Sequence, residues 1–184
     1  RRAIGYYQQQ LEIARASGDT LGEGNALGNL GNAYRDGGQI DLAIQCYEQH
    51  LAIAREHGDL SGEGVTLGNL GVAYKARGDV RRAITCYELA LQIVCDIGDR
   101  HAEVSILGNL GNAHASLGEI ERALLSLQRG VKIANELGDR HSEAIAQWNL
   151  GCAYQQHGDL ARAVELMQAN VDFKRAIGHP EAER

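Results

Sequence analysis

The sequence predicts an all-α solenoid of antiparallel helix pairs, each stacked on the next. Three observations carry that prediction. Gly-Asp recurs at Gly18-Asp19, Gly58-Asp59, Gly98-Asp99 and Gly138-Asp139, and Gly178-His179 closes the series at the same 40-residue spacing. A second Gly marks the middle of each interval, at Gly38, Gly78, Gly118 and Gly158. Between the markers lie two apolar-periodic segments, so each repeat reads as two helices joined by short turns.

Taken in order, Ala3, Ile4, Tyr7 and Leu11 share the phase of a second helix, so residues 1–17 read as the second helix of a preceding repeat. Full repeats are expected over 19–57, 59–97, 99–137 and 139–177, with 179–184, including Pro180, starting a further one. This gives about nine helices in one array that starts and stops mid-repeat, as a piece of a longer one does. Apolar faces left uncovered at its ends favour end-to-end self-association. At each repeat boundary the Gly suits the left-handed position past a helix C-terminus. The Asp then caps the next helix, and Glu23, Glu63, Glu103 and Glu143 put negative charge where the helix dipole favours it. Loops this short force antiparallel neighbours.

The first helices carry "LGNLGNAY" at 27–34, "LGNLGVAY" at 67–74, "LGNLGNAH" at 107–114 and "QWNLGCAY" at 147–154. A helix-interior Gly costs about 1 kcal/mol relative to Ala, so the recurrence needs a reason. At 100° per residue Leu27, Leu30, Gly31 and Tyr34 share the core face, where Gly31 permits close helix approach. Asn25, Asn29, Asn32 and Asp36 share the opposite side. The second helices show one apolar stripe: Ala43, Ile44, Tyr47, Leu51 and Ala54. It repeats at Ala83, Ile84, Tyr87, Leu91 and Val94, and at Ala123, Leu124, Leu127, Val131 and Ala134. In the last repeat Ala163, Val164, Met167 and Val171 follow it before Arg175 breaks it.

Composition narrows the function. The chain of 184 residues is 44% hydrophobic and 23% charged, ordinary for a globular protein. With one Phe and one Trp, the core rests on Leu, Ile, Ala and Tyr. A net charge of −6 disfavours nucleic acid or an anionic membrane as main partner. No segment reads as membrane-spanning or as a signal peptide. The four Cys form no CxxC pair and are expected as free thiols in the cytoplasm. No HExxH, GxSxG or P-loop spacing occurs, so no enzyme, cofactor or metal site is expected. His101 and His141 read as a solvated edge, Cys46 and Cys86 as packing.

Leu27, Leu30-Gly31 and Tyr34, then Gly38, Ala43 and Tyr47, resemble the tetratricopeptide repeat (TPR) pattern in its long, 40-residue form. "LGNLGNAY" is similar to the repeats of the Pins/LGN family, of kinesin light chain and of bacterial TPR proteins. The resemblance implies a right-handed superhelix whose first helices line a concave wall. Gly28 and Gly68 would keep that wall low, and Asn29, Asn69, Asn109 and Asn149 would line it. An amide offers two donors and an acceptor. In the relatives this phase grips the main chain of a bound peptide; the other reading is that the amides bond the next repeat and set the stacking.

Positions that differ between repeats suit specificity: Asn25, Asn32 and Arg35 in repeat 1, Lys75 in repeat 2, Asn112 in repeat 3, Trp148 in repeat 4. Trp148 is either an anchor or packing for a following repeat. A carboxylate clamp would need Lys where Gly28 and Gly68 stand. The expected function is a protein-interaction scaffold that holds an extended peptide or a partner helix, with acidic residues facing Arg35 and Lys75. One alternative is a sensor array within a larger signalling ATPase. Another is single-stranded RNA binding, against which the net acidity counts.

Overall fold

The computed structural model describes residues 2–176; Gly178-His179 and the start expected over 179–184 lie outside the described residues. The turn chemistry acts as its residue types dictate. Asp19, Asp59, Asp99 and Asp139 each accept from a first-turn backbone N–H, that of Gly22, Gly62, Ala102 and Ser142. Asp79 and Asp159 cap second helices in the same way, through Arg82 N and Arg162 N. The chain reverses at glycines in the left-handed region, such as Gly58 (φ 66°) and Gly78 (φ 92°). An L side chain there costs about 1–2 kcal/mol, so Gly78→Ala is expected to lower stability by about that much in denaturant titration.

Between these turns run nine helices among the described residues, and no strand: α1 Arg2–Ser17, α2 Thr20–Asp36, α3 Ile40–Glu56, α4 Leu60–Arg77, α5 Val80–Asp96, α6 Arg100–Ser116, α7 Ile120–Leu137, α8 Arg140–His157 and α9 Leu160–Ala176. The chain forms two compact units, one up to Ile97 and one from Gly98. In each, every helix packs on the next in sequence.

The first unit buries Leu27, Leu30, Ala43, Ile44, Tyr47, Leu67, Leu70, Ala83, Tyr87 and Val94. Gly31 touches the Tyr47 ring so closely that a Cβ there would stand 2.5 Å from its Cε1. Gly71 meets Tyr87 in the same manner. In the second unit Leu127, Leu150, Ala153, Tyr154 and Ala163 form one cluster, and Gly111 lies against Leu127 as Gly31 does against Tyr47. The last stripe departs from expectation at Val164, which is 66% exposed where the equivalent Ile44 is 4% exposed. Ile44 belongs to a helix on which α4 packs; α9 has no following helix among the described residues.

Two sets of polar ties join elements within each unit. Gln8 Nε2 donates to the Tyr34 hydroxyl (3.1 Å), the Tyr74 hydroxyl donates to Glu48 Oε1 (2.8 Å), and Gln128 Nε2 donates to the Tyr154 hydroxyl (2.8 Å). His114 takes the tyrosine's place in "LGNLGNAH" and lies 2.7 Å from Glu119 Oε2 through Nδ1. The second set corrects the reading of the glutamates. Glu23 and Glu63 do more than face a helix dipole: Arg15 and Arg55 of the preceding helices pair with them at 2.7 Å. Glu103 is buried and takes both Arg100 (3.0 Å) and Arg129. Arg→Ala at Arg15 or Arg55 is expected to cost below about 1 kcal/mol, since both pairs are partly solvated.

Candidate functional site

The predicted surface lies on α2 and α4 in the first unit and on α6 and α8 in the second. Helical spacing puts Asn25, Asn29 and Asn32 on one side of α2, with Asn25 and Asn29 exposed and Asn32 half-buried. Asn69, Lys75, Asn109, Asn112 and Asn149 are half-buried, and Trp148 is 42% exposed.

In the first unit Arg35 joins two of the sites. Its Nη1 donates to Asn69 Oδ1 at 3.4 Å, while Nε and Nη2 donate to Asp36 Oδ1 at 3.3 and 3.2 Å. Part of the Arg35 charge is thus offset by Asp36. Asn32 accepts from the buried Tyr47 hydroxyl at 2.7 Å, so its oxygen is spent on the core and its NH₂ is left over. Lys75 has no hydrogen bond or ion pair among the described residues, and burial pulls its ammonium below the usual lysine range. Asn29, Asn32 and Asp36 form one wall of a cleft of about 630 Å³, and Ala3, Ile4 and Tyr7 of α1 form another.

The glycine expectation divides. Gly68 faces open space, as a low wall requires. Gly28 does not: a Cβ there would stand 3.0 Å from His50 Nδ1, and one at Gly24 would stand 3.2 Å from His50 Cδ2. These two glycines make room for the imidazole, which reaches from α3 and shares a 2.9 Å hydrogen bond with Thr66 of α4. Nothing in the local pattern around "QH" at 49–50 signals this.

Burial lowers the His50 pKa from 6.5, and the Asp59 carboxylate opposes the shift. The unfolded chain therefore takes up this proton first. Its contribution to stability is intact well above pH 6.5 and is lost as pH falls through that value toward the folded pKa. His50→Gln is expected to flatten the fall in thermal midpoint between pH 7 and pH 5. An unchanged slope would assign the fall to other groups.

In the second unit α6 packs directly on α8. Asn109 and Asn149 line the cleft between them, and a Cβ on Gly108 would lie 3.7 Å from the Asn149 amide nitrogen. Asn112 lacks the tyrosine that holds Asn32, because Leu127 occupies the Tyr47 position. Among the described residues no group of three or more His, Cys, Asp or Glu is placed to hold a metal ion, and no helix is long and apolar enough to cross a membrane. None of the four Cys is in a disulfide; burial pushes the Cys86 thiol up to about 11.

Helix pairs at a constant 40-residue spacing, with a glycine at each intra-repeat contact and a polar face on each first helix, define a helical-repeat protein. The chain belongs to the tetratricopeptide repeat family, whose model matches residues 1–56 and 62–136. Its fold is similar to that of BtubC (BKLC) from P. vanneervenii, at 23% identity and a TM-score of 0.88 over 97% of this chain and 74% of that one. It is also similar to a putative kinesin light chain from Podosopora anserina with nearly identical TPR-like repeats (23% identity, TM-score 0.79, 96% of this chain and 86% of that one). A third likeness is to a Signal Transduction ATPase with Numerous Domains from Pyrococcus horikoshii that carries a tetratricopeptide repeat sensor (19% identity, TM-score 0.81, 94% of this chain but 28% of that one). At these identities the likeness concerns the fold. Among curated proteins none matches the sequence.

Proposed function

We propose that this chain is a non-catalytic scaffold whose first helices hold an extended peptide. One observation carries the reading: Asn stands at 29, 69, 109 and 149, and the amides of Asn29, Asn109 and Asn149 have no hydrogen-bond partner among the described residues. Unspent amides at this register of α2, α6 and α8, with Asn69 of α4 accepting from Arg35, suit a ligand main chain. On α6 and α8, which pack on each other, an interhelical distance of 8–10 Å and a strand rise of about 3.3 Å per residue let Asn109 and Asn149 meet a strand about every third residue. Lys75, a half-buried cation without a hydrogen bond or ion pair among the described residues, and Arg35 favour Asp or Glu in that peptide. A partner helix is the same reading with a different occupant. Cysteines outside disulfides fit a cytoplasmic setting.

The test is a peptide-array screen of the wild type and of Asn29→Ala/Asn69→Ala/Asn109→Ala. Each lost contact is worth on the order of 1 kcal/mol, so the folded triple variant is expected to bind hits on the order of 100-fold more weakly. Binding is also expected to weaken with salt. A folded variant that keeps every hit would reduce the asparagines to stacking groups. The likeness to a sensor repeat array favours a second reading, in which the occupant is a segment of the same polypeptide. A hit from elsewhere in the full-length gene product would select it.

A further inference from the structure

Helices α3 and α7 differ at one register of the second helix, which Ala90 holds in α5 and Asn170 in α9. In the first unit, His50 stands between α2 and α4, against Gly24 and Gly28 and bonded to Thr66. In the second unit, the residue at that register of α7 is Gly130, which is buried. A Cβ on Gly130 would find only ordinary contacts, 3.6 Å from Leu107 Cβ and 3.9 Å from Val104 O. Packing therefore does not demand a glycine there. The neighbours differ as well: Gly24 corresponds to Val104, and Thr66 to Ala146. Where the first unit places an imidazole and a hydroxyl, the second has aliphatic carbon and no side chain to fill the gap.

Val104, Gly108 and Ala146, the counterparts of the residues that surround His50, line a cleft of about 240 Å³ between α6 and α8, of which Gly130 itself is not a lining residue. Val104 and Ala146 are buried in it, Ile145 is 49% exposed at its edge, and Ser105, Ser142, Asn109 and Asn149 supply the polar lining. No lining residue is charged. We infer that this cleft is a specificity pocket for one neutral aliphatic side chain, Leu, Ile or Val, of a bound peptide whose main chain lies on Asn109 and Asn149. The inference rests on the extended-peptide reading above and adds the residue class read by the second unit. A charged side chain would lose water there without gaining a partner, while an aliphatic one replaces water against Val104, Ile145 and Ala146.

The test uses NMR of the ¹⁵N-labelled chain with two kinds of probe. One is N-acetyl-leucine methylamide against N-acetyl-alanine methylamide. The other is a capped Ser/Gly nonapeptide with Leu, Ala or Lys at its centre. Leu probes are expected to move the resonances of Ser105, Ile145, Ala146 and the Asn109 and Asn149 side-chain amides at about tenfold lower concentration than Ala probes. Gly108→Leu, which fills the cleft from an open wall, is expected to abolish that preference, as is Ile145→Glu, which alters only an exposed rim. Equal response to Leu and Ala, or a preference that survives both variants, overturns the pocket. Nonapeptides bound regardless of their central residue leave the main-chain reading standing without the pocket. The leucine methylamide bound with no nonapeptide bound keeps the pocket and removes the extended-peptide reading.

Discussion

Tyr87→Ala is expected to cost about 3–5 kcal/mol, the range for truncating a buried aromatic. Tyr87 is 1% exposed, and burial pushes its hydroxyl up to about 12. Its ring edge lies on the backbone of α4 at Gly71. Gly71→Ala is therefore expected to destabilise by about 1–3 kcal/mol through overpacking, despite the better helix propensity of alanine. The two losses are not expected to add. Once the ring is gone, the methyl at 71 enters the space it vacated, so the double variant should recover at least about 1 kcal/mol relative to the sum. Denaturant titrations of the four proteins followed by circular dichroism measure each corner of this cycle. A neutral Gly71→Ala, or strict additivity, would mean that the glycine is there for another reason than the tyrosine.

Glu103→Ala comes next in expected size, at about 2 kcal/mol. The carboxylate is 2% exposed and receives both Arg100 and Arg129. Breaking a fully buried pair costs about 3–5 kcal/mol, but both arginines remain roughly half in water and can turn to it. The molecule holds its own control. Glu63→Ala removes the same register in the first unit, where the Arg55 partner is half exposed, and should cost below about 1 kcal/mol. Added salt should narrow the Glu63 effect and leave most of the Glu103 effect. Equal losses for the two variants would show that burial of Glu103 makes no difference to the pair.

Much of the scaffold is legible in the residues because helical period is arithmetic. The 40-residue glycine spacing, the Asp caps and the stripe from Ala43 to Ala54 each follow from local chemistry. So does the role of Gly31, whose phase puts it on the core side of α2. Features that depend on docking are not legible in this way. The Tyr74–Glu48 tie joins residues 26 apart on different helices, and no periodicity within either helix announces it. Gly28 and Gly68 look alike in sequence, yet only Gly28 faces an imidazole, because the side chain that separates them in role sits at 50 on another helix. Asn32 shows the same limit for the candidate site. Its phase is that of a surface amide, but Tyr47 reaches its oxygen from behind. Arg35 reads as a spare cation until Asp36 and Asn69 are seen to share it.

The ties between helices described above have a consequence for how such a chain changes over generations. They span from 5 residues, as in His114–Glu119, to 34, as in Arg35–Asn69, all less than the 40-residue period. Excising residues 9–48 would set Gln8 26 residues from Tyr74, the separation it now has from Tyr34. Unequal crossing-over in the gene can therefore lengthen or shorten the array by whole periods while keeping these sequence separations. The number of helix pairs becomes a heritable quantity that changes in steps of one period.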